Sequence, residues 1–476
     1  MTGFTIGLIK ASLPSYFPEK HNVWSIAEAA LQSICSELSA TVFVAPTIPM
    51  GATDTTQALA ECQSAGADFI LLLHGGFTMG DVARTIAAAP VRAGFWSVPE
   101  PVRTGDVQLN NFVSLNMSLS IARQVRNLKD NPVQWYHGDP DGKALKERLS
   151  TTIKALQALK ALDGTRIGVV GGLAMTFYNM EVSTNELRTR LGVEVSHHDM
   201  HELTQRMDNI KSDRIDAETK LIADAATIDG VSESQIELTV RAALALRDLA
   251  SENNYDALAV SDWPALQTYP GMHPGAAFSW LEERDALPIA SEGDVLGAIT
   301  QLVAKSLTGR CGYLLDMTEP DLDTGKLLMW HGGGGPLYLA DDNGVRWINH
   351  PMIGRGTEAG PVYGAIADLV FQNGEVCIFR VARNAAALFR MQCEVSSHES
   401  SGFTGCRGWL NNFTLDDQSL SLEDVVHTVM AHGLEHHFVL VPGNYGSVLA
   451  EFGAWSGMQP LDARQMKPYL DVRDFS

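Results

Sequence analysis

The stretch ADFILLLHGG, residues 67–76, places five consecutive apolar residues, Phe69 to Leu73, immediately before a histidine and two glycines. The run is too short for an independent helix and does not alternate, so it reads as a strand covered on both faces, closed by a turn. FTIGLIK (4–10) and ATVFVAP (40–46) read the same way, and VRAGFWSVP (91–99) continues the pattern. Between them lie amphipathic stretches, WSIAEAALQSICSEL (24–38) and TTQALAECQSAG (55–66), with apolar residues at helical spacing. Strand–helix–strand alternation with near-continuous apolar strands predicts a parallel sheet with helices on both faces. Ligands of such sheets gather at the carboxyl ends of the strands, which directs attention to the loops starting at Lys10, Pro46, His74 and Trp96.

A polar interval at 127–142 and a helical segment at 143–162 precede a fresh strand-like run, TRIGVVGG (165–172). A second α/β block follows, with GVEVSHHDM (192–200), a long helix over 232–253 and the buried run YDALAVSDWP (255–264). Beyond about residue 309 the segments become short, rich in aromatic and β-branched residues, and separated by Gly, Asp and Asn. The expected architecture is two three-layer α/β/α, Rossmann-like domains with parallel sheets, at 1–160 and 161–308. A β-rich, barrel-like domain at 309–476 follows them.

The chain has 476 residues, 45% of them hydrophobic, and 56 acidic against 35 basic side chains, a formal charge of −21. General attraction to nucleic acid or to an anionic membrane is not expected from that balance. No apolar run approaches the roughly 20 residues of a membrane span. The amino-terminal segment has no signal-peptide pattern, so a cytoplasmic protein is expected. The six cysteines are scattered without zinc or redox spacing, which reads as reduced core residues. Glycine clusters at 74–76, 168–172 and 331–336 match neither a P-loop nor a complete dinucleotide fingerprint. The first two suit tight turns at strand ends. The four glycines after His331 suit close approach to a ligand or a neighbouring subunit.

The chemistry-bearing constellation is Glu292, Asp316, His331 and the pair His436–His437. Glu292 follows the strand-like DALPIAS (285–291) and precedes an apolar helix, Asp316 ends YLLD (313–316), and His437 opens onto FVLV (438–441). Two carboxylates and an imidazole at the mouths of packed elements form a plausible divalent-metal set. Mixed oxygen and nitrogen ligation suits Mn²⁺ or a similar ion. Taken singly, each of these acids and histidines has the plainer reading of a hydrogen-bonded surface group.

The segments DWPALQ (262–267), ASEGDVLGAITQLVAKSLTGRCGYLLDMTEPD (290–321) and LLMWHGGGGP (327–336) resemble the L-fucose isomerase-like and L-arabinose isomerase-like sugar isomerases. So do GVVGGLAMTFYN (168–179) and GLEHHFVLVPGNY (433–445), in the same order along the chain. The resemblance implies a metal-dependent aldose–ketose isomerase working through a cis-enediol, and a homo-oligomer, trimeric or hexameric. It implies that Glu292 and Asp316 bind metal and exchange protons, that His437 is the histidine ligand with His436 as the alternative, and that His331 borders the site. Here the chain reads WHGG where many members of that family read WHCG.

Trp96, Glu100, Arg103, Asn111 and Asn116 form a dense polar set after an inferred strand, with Trp96, Arg103 and Asn116 taken as substrate contacts. Phe177, Tyr178 and Asn179 form a second candidate substrate loop. Turn capping and loop packing are the plainer readings of both. The expected substrate is an L-fucose- or L-arabinose-like sugar. An anionic, sulfonated aldose such as sulfoquinovose is the alternative, prompted by Lys10, Arg103 and Arg355 in an otherwise acidic chain. A noncatalytic sugar-binding protein is the alternative from another class.

Overall fold

A computed structural model describes residues 3–332, 334–350 and 364–475. The chain forms two compact units, Met1–Gln157 with Ala454–Gly457, and Ala158–Gly453 with Met458–Ser476.

The first unit is built on a five-stranded sheet of β1 (Phe4–Ala11), β2 (Ala40–Val44), β3 (Phe69–His74), β4 (Ala93–Ser97) and β5 (Val133–His137). Its order is β2-β1-β3-β4-β5 and every pairing is parallel. β3 is buried along its whole length, as its unbroken apolar run requires. Fully burying each of its leucines contributes roughly 1.5–3 kcal/mol.

The second unit starts with β6 (Arg166–Val170), β7 (Glu194–His198), β8 (Thr227–Ile228), β9 (Ala257–Val260) and β10 (Ile289–Ala290). A parallel four-stranded sheet runs β10-β9-β6-β7, while β8 pairs elsewhere. The strand-rich remainder comprises β11 (Tyr313–Asp321), β12 (Lys326–His331), β13 (Arg346–Asn349), β14 (Ala365–Val370) and β15 (Gly374–Ala382). It continues through β16 (Ala387–Ser396), β17 (Cys406–Leu415), β18 (Gln418–Ser419), β19 (His437–Pro442) and β20 (Gln459–Pro460). Six of these strands close on themselves: β16-β15-β19-β11-β12-β17 are antiparallel neighbours in that order, and β16 also pairs with β17. Closure removes the free edges that such strands would otherwise expose. β14, β13 and β8 extend the sheet beyond β17. The architecture is thus parallel α/β layers followed by a mixed, β-rich sheet.

The helix Val295–Thr308 packs against β9 of the parallel sheet and against β15 and β19 of the barrel. It is buried on every face over its first ten residues, as a helix between two sheets must be. Asp294 caps it by accepting the Gly297 N–H at 2.9 Å, and Gly309 ends it at φ 76°. Both features are local consequences of sequence. They fix the turn that carries Glu292.

Candidate active site

β9 and β10 run side by side and end at Val260 and Ala290. The turns that follow bring Asp262 and Glu292 together, with the Glu292 N–H donating to Asp262 Oδ1 at 2.7 Å. Glu292 adopts φ 62°, a left-handed conformation uncommon outside glycine. The next residue, Gly293, is at φ 75°, and a Cβ there would lie 2.2 Å from the Gly172 carbonyl oxygen. The Glu292 carbonyl meanwhile accepts the Ala174 N–H at 2.9 Å. The loops after β6 and β10 are therefore fitted to each other, and the Glu292 side chain is aimed by backbone geometry.

The barrel supplies the facing residues from three neighbouring strands. Asp316 on β11 is directly opposite Trp330 on β12 and His437 on β19. His331 follows Trp330. His437 Nε2 lies 3.4 Å from Glu292 Oε2 and 3.8 Å from Asp316 Oδ1, and ligand atoms of Glu292, His436 and His437 all fall within 4.8 Å of one another. His331 joins through its Nε2, 3.3 Å from Ser291 Oγ, with its ring centroid 5.6 Å from that of His437.

Hydrogen bonds set opposite tautomers on the two adjacent histidines. The Asn179 amide nitrogen lies 3.1 Å from His436 Nδ1, so His436 presents Nε2–H to Glu292 Oε2 at 3.1 Å. His437, wholly buried, directs Nδ1 at Asp294 Oδ2, 3.0 Å away. Its Nε2 faces Glu292 and Asp316 and makes no hydrogen bond among the described residues, and neither does the buried Asp316 Oδ1. Burial pushes the His437 pKa down, but the three carboxylates around the ring raise it above the ordinary value. Unpaired buried nitrogen and oxygen atoms beside an acid are costly on their own. A divalent cation satisfies them together, so the donor set fits such an ion.

The surrounding charges are arranged to keep this set in place. Asp294 takes Arg380 Nη1 at 2.7 Å and Nη2 at 3.1 Å, and both groups, like His437, are fully buried. Arg380 also donates to the His437 carbonyl at 3.1 Å and reaches Glu435 at 3.4 Å. Burial pushes the Asp294 carboxyl up, but the Arg380 guanidinium and the His437 bond hold it far below the ordinary carboxylate range. Burial likewise pushes Glu292 up, and the His436 bond and the imidazoles of His437 and His331 bring it below its usual value. Burial holds the His331 ring below its normal range and lifts the Asp262 carboxyl to about 7.

Of the expected site residues, Glu292, Asp316, His331, His436, His437, Phe177 and Asn179 are brought together. Phe177 packs at 5.1 Å from the His436 ring and 5.6 Å from Trp263. Tyr178, on the same loop, is 79% exposed. Trp96, Arg103 and Asn116 belong to the first unit. Trp96 is wholly buried in β4, which leaves no open ring face for stacking on a sugar; its place in a strand paired on both sides, between β3 and β5, and buried along its length is the reason. Arg103 and Asn116 are exposed. Lys10 is held by Glu28 at 3.2 Å. Arg355 lies outside the described residues, as does Gly333 of the four-glycine run. Gly75 and Gly76 pack against Trp24 and against Ser12 and Tyr16, where a Cβ would collide.

Asp294, Arg380, Glu435 and Asp262 are the site residues that sequence reasoning did not single out. Asp294 had a signal, an acid directly before an apolar helix. Arg380 had a weaker one, a cation inside the apolar strand CIFRVA.

No family model matches the chain. It is similar to the sulfoquinovose isomerases of Priestia aryabhattai and Priestia megaterium, 28% identical over 365 residues that cover 75% of this chain and 77% of each of those proteins. The sulfoquinovose isomerase of Alkalicoccus urumqiensis is 25% identical over 368 residues, again 75% of this chain and 77% of that protein. The aligned part of each relative therefore spans about three quarters of this chain, and the relatives share one name.

Proposed function

We propose that the chain is a divalent-metal-dependent isomerase interconverting an aldose and its ketose, with a sulfonated sugar such as sulfoquinovose as substrate. The observation that carries this reading is the convergence of Glu292, Asp316 and the unpaired His437 Nε2 from three distant segments. The sulfonated substrate replaces the neutral L-fucose- or L-arabinose-like sugar expected from motifs. The relatives that align over three quarters of the chain are sulfoquinovose isomerases, and motif resemblance alone does not separate these substrates.

Glu292, Asp316 and His437 would hold the ion, Mn²⁺ or a similar one. When bound, it supplies Lewis acidity to the sugar oxygens on the two reacting carbons, where negative charge develops as the carbon-bound proton leaves. Glu292, kept ionised by the imidazoles beside it, is suited to carry the proton between C2 and C1 through a cis-enediol. Asp316 is suited to exchange the hydroxyl proton. His331 and the His436–Asn179 pair border the sugar, with Phe177 and Trp263 forming an apolar wall. A sulfonate is a permanent anion and needs fixed donors.

The test uses the full-length protein stripped with EDTA and reloaded with Mn²⁺, with sulfoquinovose, L-fucose and L-arabinose offered separately and ketose formation followed. Metal-dependent conversion of sulfoquinovose is expected. Conversion of L-fucose alone would overturn the sulfonated substrate, and silence on all three sugars with Mn²⁺, Co²⁺ and Mg²⁺ would overturn the isomerase reading.

A further inference from the structure

Behind the Ser291–His331 hydrogen bond lies a cavity of about 10 Å³, lined by Glu282, Tyr313, His273, Ser291 and His331 among others. That is roughly the space one water-sized sphere needs. Two of its lining groups are polar, almost wholly buried and incompletely bonded. Glu282, on the helix Gly275–Arg284, is 3% exposed; its Oε1 accepts from Gln301 Nε2 at 2.5 Å and from the Ile289 N–H at 3.3 Å, while Oε2 has no partner among the described residues. Tyr313, on β11, is 1% exposed, and its hydroxyl interacts with the Cys406 thiol but has no oxygen or nitrogen partner among the described residues.

We propose that this cavity is a built site for one water molecule, held by Glu282 Oε2 and the Tyr313 hydroxyl, through which Glu282 positions the Ser291–His331 pair at the rim of the candidate active site. Leaving either group buried and unbonded costs about 1–3 kcal/mol. A water with two to four polar partners removes that cost and is comparable to a direct hydrogen bond. Burial pushes the Glu282 carboxyl well above its usual range, which favours the neutral acid and so a water over a cation. A protonated acid presents a donor on one oxygen and an acceptor on the other. The site is also placed to matter: Ser291 directly precedes Glu292, and His331 Nε2 is 3.3 Å from Ser291 Oγ. Glu282 is therefore a positioning residue. Its effect on turnover rests on the isomerase reading, whereas the water site does not.

The test is a crystal structure of the full chain at a resolution that shows ordered solvent, with Glu282→Gln, Glu282→Leu and Tyr313→Phe alongside. One solvent peak within hydrogen-bond distance of Glu282 Oε2 and the Tyr313 hydroxyl is expected, retained in Glu282→Gln and lost in Glu282→Leu. In turnover of the metal-loaded protein, Glu282→Leu should lower kcat about tenfold or more with KM within about twofold, since small misplacements near a reacting group are expensive. Glu282→Gln should restore kcat to within about threefold. Should Glu282→Leu fail to fold, Tyr313→Phe, which removes one atom, serves the same comparison. A wild-type map with no solvent peak there overturns the site. A peak lost from the Leu or Phe variant with kcat unchanged overturns the positioning role, and an inactive wild type that still shows the peak separates this inference from the isomerase reading.

Discussion

His437 directs Nδ1 at Asp294 Oδ2 across 3.0 Å, and Asp294 is in turn gripped by both terminal nitrogens of Arg380. The contact turns the opposite ring nitrogen toward Glu292 and Asp316 and fixes which tautomer is presented. Asp294→Asn keeps the shape but weakens the acceptor and leaves Arg380 with only Glu435, at 3.4 Å, as counter-charge. Affinity for Mn²⁺, measured by titration calorimetry, should fall about 10–100-fold. An unchanged affinity would remove Asp294 from the metal site.

The two adjacent histidines should respond differently. His436 already spends Nε2–H on Glu292, whereas His437 Nε2 is unpaired. His437→Gln is expected to abolish measurable Mn²⁺ binding, and His436→Gln to retain it while raising KM. Equal loss from both would assign the metal to the pair. Glu292→Gln, which keeps the backbone turn, should lower kcat by about 10²–10⁴-fold, read from ketose formation at saturating sugar.

Gly293→Ala tests the backbone that aims Glu292. The new Cβ would meet the Gly172 carbonyl at 2.2 Å and would sit on a residue at φ 75°. Strain of about 1–3 kcal/mol is expected, together with a displaced loop after β6. Thermal melting and turnover should both fall. A fully active variant would show that the two loops adjust independently.

His74 offers a pH-dependent prediction away from the metal set. Its ring is wholly buried, within 3.0 Å of the Thr78 hydroxyl and 3.2 Å of the Ser118 hydroxyl, and burial lowers its pKa from 6.5 to about 3. The unfolded chain thus takes up a proton that the folded chain refuses. The stability this group provides is fully present above about pH 6.5 and is lost progressively between there and about pH 3, at about 1.4 kcal/mol per unit. Denaturant unfolding of wild type and His74→Gln at pH 7.5 and pH 5 should show the gap between them shrinking in acid. A constant gap would mean that His74 takes up a proton in the fold.

Much of the fold could be read from residues 67–76 and their counterparts, because a strand buried on both faces must be apolar throughout, as β3 is. Closure of the barrel could be expected only in outline. Pairings such as β16 with β17, or β8 with β13 across more than a hundred residues, depend on register that local pattern does not carry. In the site, Glu292, Asp316 and His437 stood out as polar residues at the ends of apolar runs. Arg380 did not, since a cation in a strand gives no sign of being buried until its partners, Asp294 and Glu435, are placed beside it. Trp96 misled for a related reason. An aromatic at a strand end looks the same in sequence whether it faces a cleft or, as here, the interior.

β19 enters the barrel between β15 and β11, strands that precede it by more than fifty residues. During synthesis both carboxylates of the set emerge well before the imidazole, and the central gap in the sheet stays open until residues 437–442 arrive. A nascent chain halted just short of that point holds two unclosed strand edges and an incomplete donor set, so completion of the barrel and assembly of the candidate site become one late, non-local event.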